Sequence, residues 1–256
     1  MATRRQLMIG SGVLATAAMS LAHPATSTPH DGPTATATAT HGTAGLLRPG
    51  TRVLFQGDSI TDVQRRRSIT APNSPAGLGH GYPALVARRL LRERPDDGLL
   101  FFNRGISGDT VARLHRRWAA DTVALRPDVL SILIGVNDYW NRHRTPERPG
   151  SAAIYREQLD ALLRLTRERL PATTIMLCEP FLLPTGHAGE QWIRDLTAYR
   201  RAARELAEVH GTRFVAFQTA MDAALQKGSA ERWSADGVHP TPEGARVLAD
   251  AWVRSL

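Results

Sequence analysis

The chain contains one cysteine, Cys178, and one lysine, Lys227. A lone thiol excludes an internal disulfide and argues against a thiolate metal cluster, because both need partner cysteines. Cys178 lies in the apolar run TTIMLCEP and reads as a buried, inert side chain. With lysine nearly absent, the 32 basic residues are almost all arginine, and against 24 acids they give a formal charge of +8. That balance would suit a nucleic-acid binder, but the arginines are spread along candidate helices rather than gathered in one block. No nucleic-acid partner is expected, and the basic residues read as a solvated surface. No repeat of solenoid length follows residue 45.

Long apolar runs are also scarce. Near the N-terminus, TRRQLMIGSGVLATAAMSLA carries the pair Arg4-Arg5 ahead of a stretch too short and too rich in Gly, Ala and Thr for a comfortable membrane span. Residues 1–22 therefore read as a twin-arginine export signal, with Ser20 and Ala22 offering a cleavage site. A secreted protein is expected, with no stable membrane association after cleavage. Residues 23–45 are Ala, Thr, Pro and Gly with little to bury, and read as a disordered linker. The remainder, 46–256, is expected to be one catalytic domain.

In that domain, short continuous apolar runs alternate with helical patterns. Strands are expected at 52–56, 99–103, 128–135, 173–179 and 213–217. Continuous rather than alternating hydrophobicity marks strands buried on both faces. Helices are expected over 109–125 (inward Val111, Leu114, Trp118), over 152–170 (Tyr155, Leu159, Leu162, Leu163) and over 190–210 (Trp192, Leu196, Tyr199, Ala203, Leu206). A last helix opens with Thr241 as N-cap and Pro242 at its first position, burying Ala245, Leu248, Ala249 and Trp252. Such alternation predicts an α/β fold with a parallel sheet covered on both faces. Ligands in such sheets bind beyond the carboxyl ends of the strands.

Chemistry-bearing residues collect there. The first strand runs into GDSITD, the second into NRGISGDT and the third into GVND, while DGVHP precedes the last helix. Asp236 and His239 stand three apart, a spacing that can put both side chains on one side of a turn. A carboxylate on one imidazole nitrogen fixes the tautomer and frees the other nitrogen as a base. Ser59 then supplies a nucleophile, which needs such a base to be reactive. Oxyanion donors are available from the backbone N–H of Ser59, from Gly108 and from the Asn137 side chain. Asp62, Tyr82, Trp140 and Trp233 lie near these blocks and are candidates for sugar contacts. Asp62 reads equally as a helix N-terminal carboxylate. The aromatics read more readily as packing than as a sugar platform. Asp109 and Asp138 adjoin the oxyanion residues and read as loop-stabilising acceptors.

The four blocks GDSIT, GISGDT, GVND and DGVHP, in this order, resemble those of the SGNH hydrolases, also called GDSL esterases. The likeness spans roughly residues 50–256. It implies a flavodoxin-like three-layer α/β/α fold with a five-stranded parallel sheet, and serine esterase chemistry with no cofactor and no metal. It assigns Ser59 as nucleophile, His239 as base, Asp236 as its orienting carboxylate, and Gly108 and Asn137 as oxyanion donors. The stretches LFQGDSITDVQRR, LGHGYPALVARRL and EPFLL further resemble the acetylxylan esterase branch, whose substrates are acetylated xylan or xylo-oligosaccharides. The G-x-S-x-G pattern of the α/β-hydrolases is absent around Ser59, which disfavours that other serine esterase fold.

The expected partner is thus an ester substrate, small or polymeric, and homo-oligomerisation is left open. Two other readings stand beside it. A lipase, lysophospholipase or acyl thioesterase would share the site but want an apolar acyl groove, whereas the stretches 64–81 and 141–150 are polar and Arg-rich. A metal-dependent phosphoesterase would use Asp58, Asp62, Asp138, Asp236 and His239 as oxygen and imidazole ligands.

Overall fold

The apolar run at residue 53 is the centre of the molecule. In the computed structural model, which describes residues 45–144, 151–186 and 189–256, the side chains of Val53, Leu54 and Phe55 are wholly buried. The export signal and all but the last residue of the linker lie outside the described residues. The first strand, β1 (Arg52–Gly57), pairs on one side with β2 (Leu100–Asn103) and on the other with β3 (Val129–Leu133). Beyond β3 come β4 (Thr174–Cys178) and β5 (Arg213–Val215), giving an all-parallel sheet in the order β2-β1-β3-β4-β5. Every expected strand is present; β1 gains Gly57, and the other four are trimmed to the residues that pair.

Parallel strands need crossovers, and helices supply them on both faces. α1 (Ser59–Asp62) is a single turn after β1, and α2 (Pro75–Leu78) lies in the following loop. α3 (Tyr82–Glu93) leads to β2, and α4 (Val111–Trp118) leads towards β3. α5 (Val136–Arg144) and α6 (Ala152–Arg169) precede β4, and α7 (Glu190–Val209) precedes β5. α8 (Phe217–Leu225), α9 (Ala230–Trp233) and α10 (Pro242–Arg254) complete the chain. α10 packs against α3 and α8, while α6 packs against α4 and α7. The inward residues of α6 and α10 are those the periodicity predicts.

Two differences have local causes. The helix expected over 109–125 is α-helical only to Trp118 and then widens into a π-turn at Ala119–Val123. That turn places the buried Thr122 where its Oγ1 accepts from Gln56 Nε2 at 2.7 Å, satisfying an amide inside β1. In α7, Trp192 is only partly buried, because it packs edge-on against Trp140 of α5 rather than down onto the sheet.

The sheet order reverses direction between β1 and β3, and crevices beyond the carboxyl ends of strands open at such a switch point. Gly57 ends β1 at this position. A Cβ there would meet the carbonyl oxygen of Leu133 and the Thr61 hydroxyl, each at 2.4 Å, so only hydrogen fits beneath the turn that presents Ser59.

Candidate active site

Ser59 is the first residue of α1, and Asp58 caps that turn by accepting the Ile60 N–H at 3.0 Å. The turn lifts the Ser59 hydroxyl out of the strand. Its Oγ stands 2.8 Å from His239 Nε2. The other ring nitrogen, Nδ1, is 2.6 Å from Asp236 Oδ2. A carboxylate can only accept, so the proton of neutral imidazole belongs on Nδ1, and Nε2 is left to accept from the serine.

The loop carrying Asp236 and His239 is tied to itself. Asp236 Oδ1 accepts the backbone N–H of Val238 at 2.9 Å and of His239 at 2.7 Å. Ser234 Oγ reaches both Asp236 Oδ1 (3.2 Å) and the His239 carbonyl (2.8 Å). Burial pushes the Asp236 carboxyl up, but the His239 ring and the two N–H groups outweigh it and hold the acid below its ordinary range. Asp236 therefore stays ionised as the ring's partner.

The three expected donors follow the ends of β1, β2 and β3, and of them Ser59 and Asn137 line the pocket with His239, whereas Gly108 is not among its lining residues. Among the described residues the N–H groups of Ser59 and Gly108 donate to no other backbone or side-chain group. Gly108 takes φ +82°, a left-handed conformation that a side chain would strain. Asn137 gives one amide hydrogen to the Asp109 carbonyl at 3.1 Å and keeps a second free. Ser59, Asn137, Asp236 and His239 line one pocket of about 350 Å³, whose apolar wall is Val136, Trp140 and Val238. Such an arrangement can activate a hydroxyl, hold negative charge on a carbonyl oxygen and shuttle one proton.

Of the four expected sugar contacts, the structure brings only Trp140 into the pocket. Asp62 is a correction: it is 3 % exposed and its carboxylate is filled. Oδ2 accepts from Arg67 at 2.6 Å and from both the N–H and hydroxyl of Ser107 at 3.0 Å. Burial opposes ionisation of Asp62, but Arg67 and Ser107 prevail and its acidity rises. Its work is to anchor the segment carrying Gly108. Tyr82 is also a correction: at 1 % exposure it stacks edge-on against Phe55 and Phe217 beneath the sheet. Trp233 is buried as well, with the Arg232 guanidinium over its ring, and does not line the pocket. Proximity in sequence to a catalytic block says nothing of which way a side chain points.

Asp109 and Asp138 are acceptors as expected. Asp138 takes the Val111 N–H, and Asp109 pairs with Arg117 at 2.8 Å. Asp58 and Asp138 are buried close to one another, and burial pushes each acid up to about 7. Of the carboxylates and imidazole of the phosphoesterase reading, Asp236 pairs with His239, Asp58 lies near Asp138, and Asp62 is held by Arg67 and Ser107. Among the described residues no three His, Cys, Asp or Glu side chains gather to hold a metal ion.

Sequence reasoning missed three participants: Ser234, which braces the Asp236 turn; Ser107, which Asp62 holds; and Arg117. The one local signal for Arg117 was its place between the inward Leu114 and Trp118 of an amphipathic helix.

Comparison with known proteins finds relatives over most of the chain. A family model described as GDSL-like lipase/acylhydrolase matches residues 55–247. An acetylxylan esterase of Geobacillus stearothermophilus is 35% identical over 209 residues, which is 81% of this chain and 94% of the relative. A crystal structure of an acetylxylan esterase from that organism superposes with a TM-score of 0.75 at 33% identity, covering 82% of this chain and 95% of the other. A Parabacteroides merdae protein whose crystal structure is described as that of a GDSL-like lipase is 44% identical, with a TM-score of 0.78 and coverage of 82% and 96%.

Proposed function

The chain belongs to the GDSL-like lipase/acylhydrolase family and is a carboxylic ester hydrolase, and on that premise we propose that it removes acetyl groups from xylan or xylo-oligosaccharides by a serine mechanism. The observation that carries this reading is the unbroken relay from Ser59 Oγ through the His239 ring to Asp236, at 2.8 and 2.6 Å.

Ser59 Oγ attacks the ester carbonyl while His239 Nε2 accepts its proton. Negative charge forms on the carbonyl oxygen and is met by the N–H groups of Ser59 and Gly108 and the free Asn137 amide hydrogen. Asp236 steadies the imidazolium. Collapse breaks the bond to the sugar oxygen, which takes the proton from His239 and leaves as a hydroxyl. Water then gives a proton to His239 and attacks acetyl-Ser59, releasing acetate and restoring the serine.

Support for acetyl and for carbohydrate comes from the acetylxylan esterase relatives and from the pocket itself. Trp140 is the one aromatic candidate in it, a flat face suited to a sugar ring beside the nucleophile. The walls Val136, Trp140 and Val238 also admit a second reading, a longer acyl chain in a lipase, because the family spans lipases. A chain-length series of p-nitrophenyl esters separates the two: activity should be highest on acetate and fall with each added pair of carbons. A maximum at eight carbons or more removes the acetylesterase reading. Acetate release from acetylated xylan should exceed that from acetylated pectin.

The same reading places the enzyme outside the cell, where its polymer lies, with Arg4 and Arg5 as the export determinant. Arg4→Lys with Arg5→Lys should hold the enzyme inside the producing cell. Undiminished extracellular activity from that variant would sink the export proposal.

A further inference from the structure

The geometry points to Arg117 as the positioning residue of the oxyanion site: one guanidinium ties together the chain segments that carry all three donors. This inference rests on the reading of Ser59, Gly108 and Asn137 as those donors.

Arg117 is on α4 and only 15% of its side chain is exposed. A surface arginine at this place would make one i,i+4 pair with Asp121 and contribute little. That pair exists, at 2.9 Å, but it is the least of the contacts. Nη1 also donates to Gln56 Oε1 at 2.9 Å and to the Arg104 carbonyl at 2.7 Å. Nη2 reaches the Gly57 carbonyl at 3.4 Å, and Nε meets Asp109 Oδ2 at 2.8 Å. Gln56 and Gly57 are the last two residues of β1, immediately before Asp58-Ser59. Arg104 and Asp109 bracket the segment after β2 that contains Gly108. Asp109 in turn offers its carbonyl to Asn137 Nδ2. Gly108 and Asn137 are therefore two steps, through Asp109, and Ser59 three steps, through Gly57, from the same planar group.

Two physical consequences follow. The oxyanion donors must be aimed where charge will develop, and a fork that fixes the end of β1 and the segment after β2, with Asn137 held to that segment through the Asp109 carbonyl, prevents them from drifting independently. Asp109 also places a negative charge next to Gly108, where it would oppose the forming oxyanion. Pairing with Arg117 offsets that repulsion. Lysine could carry the charge but not the five-donor planar fork, so it is not an equivalent substitute.

The test uses Arg117→Lys, Arg117→Met and Asp109→Asn, the last keeping side-chain shape and the Asp109 carbonyl. Competent sites are counted with a serine-directed fluorophosphonate, melting temperatures are measured, and kcat and KM for p-nitrophenyl acetate are expressed per competent site. Phenylboronic acid, whose serine adduct is tetrahedral, reports on the oxyanion site independently of turnover. Arg117→Lys should lower kcat by about 10²-fold, the scale of one lost oxyanion donor, with KM nearly unchanged. The inhibition constant for the boronate should rise in step. Asp109→Asn should show the same pattern at about tenfold, and it decides the matter if the Arg117 variants do not fold. The proposal is overturned if folded Arg117→Lys or Asp109→Asn keeps parental kcat per site, or if loss of kcat leaves boronate affinity unchanged. Asn137→Ala serves as the control: parental kcat in that variant overturns the oxyanion reading beneath the proposal. A loss there with active Arg117 variants overturns the proposal alone.

Discussion

Ser59→Ala should yield a folded protein that hydrolyses p-nitrophenyl acetate about 10⁶-fold more slowly than the parent, the scale seen when a triad serine is removed. The loss is large because, among the described residues, no other hydroxyl is hydrogen-bonded to His239 Nε2, whose ring is held by Asp236 on the far side. Structure should survive, since Ser59 Oγ contacts only the exposed His239, while the turn is capped by Asp58 and braced by the Thr61, Asp62 and Val63 N–H groups. His239→Ala should cost about as much, and the double variant little more, because the two groups act as one unit. Additive losses, or Ser59→Ala retaining full activity at an unchanged melting temperature, would show that the nucleophile lies elsewhere.

Asp236→Asn is the second large effect, expected at between about 10³ and 10⁴ in kcat. Asparagine can still accept from the Val238 and His239 N–H groups, so the turn should keep its shape. What changes is the ring. An amide nitrogen facing Nδ1 must donate, which moves the imidazole proton to Nε2 and turns the base away from Ser59. The carboxylate is 48% exposed, so water can replace part of its function, and the loss should fall at or below the upper end of the range. Titration of competent sites together with kcat separates this from unfolding, and a loss under tenfold would remove Asp236 from the relay.

Much of the architecture was legible because its causes are local. Runs such as VLFQ and VLSIL are apolar without alternation, and only a strand covered on both faces suits that pattern. Thr241-Pro242 marks the start of α10 because a hydroxyl can cap Gly244 and proline lacks the N–H that would go unpaired there. Ser59 and Asn137 were legible for a different reason: their blocks fall at strand ends, where a parallel sheet gathers its ligands, and His239 was legible from its spacing to Asp236. The misread Asp62 and Tyr82 and the overlooked Arg117 share one property, that each has a partner remote in sequence. Asp62 is claimed by Ser107, Tyr82 by Phe217, and Arg117 by Gln56 and Gly57. No periodicity encodes such partners, and a charged or aromatic side chain beside a motif looks the same whether it faces the pocket or the core.

The nucleophile and its base are 180 residues apart, and the base sits directly before the helix that ends the chain. β1 precedes its neighbours β2 and β3 in the chain, and His239 follows all of them. Closure of so long a loop is a slow, late event in folding. Hydrolytic competence therefore requires the His239 loop to reach the end of β1, and a nascent chain that stops before residue 239 carries a serine turn without its base. Ester cleavage during synthesis or refolding thus clocks completion of the whole domain rather than formation of its central strands.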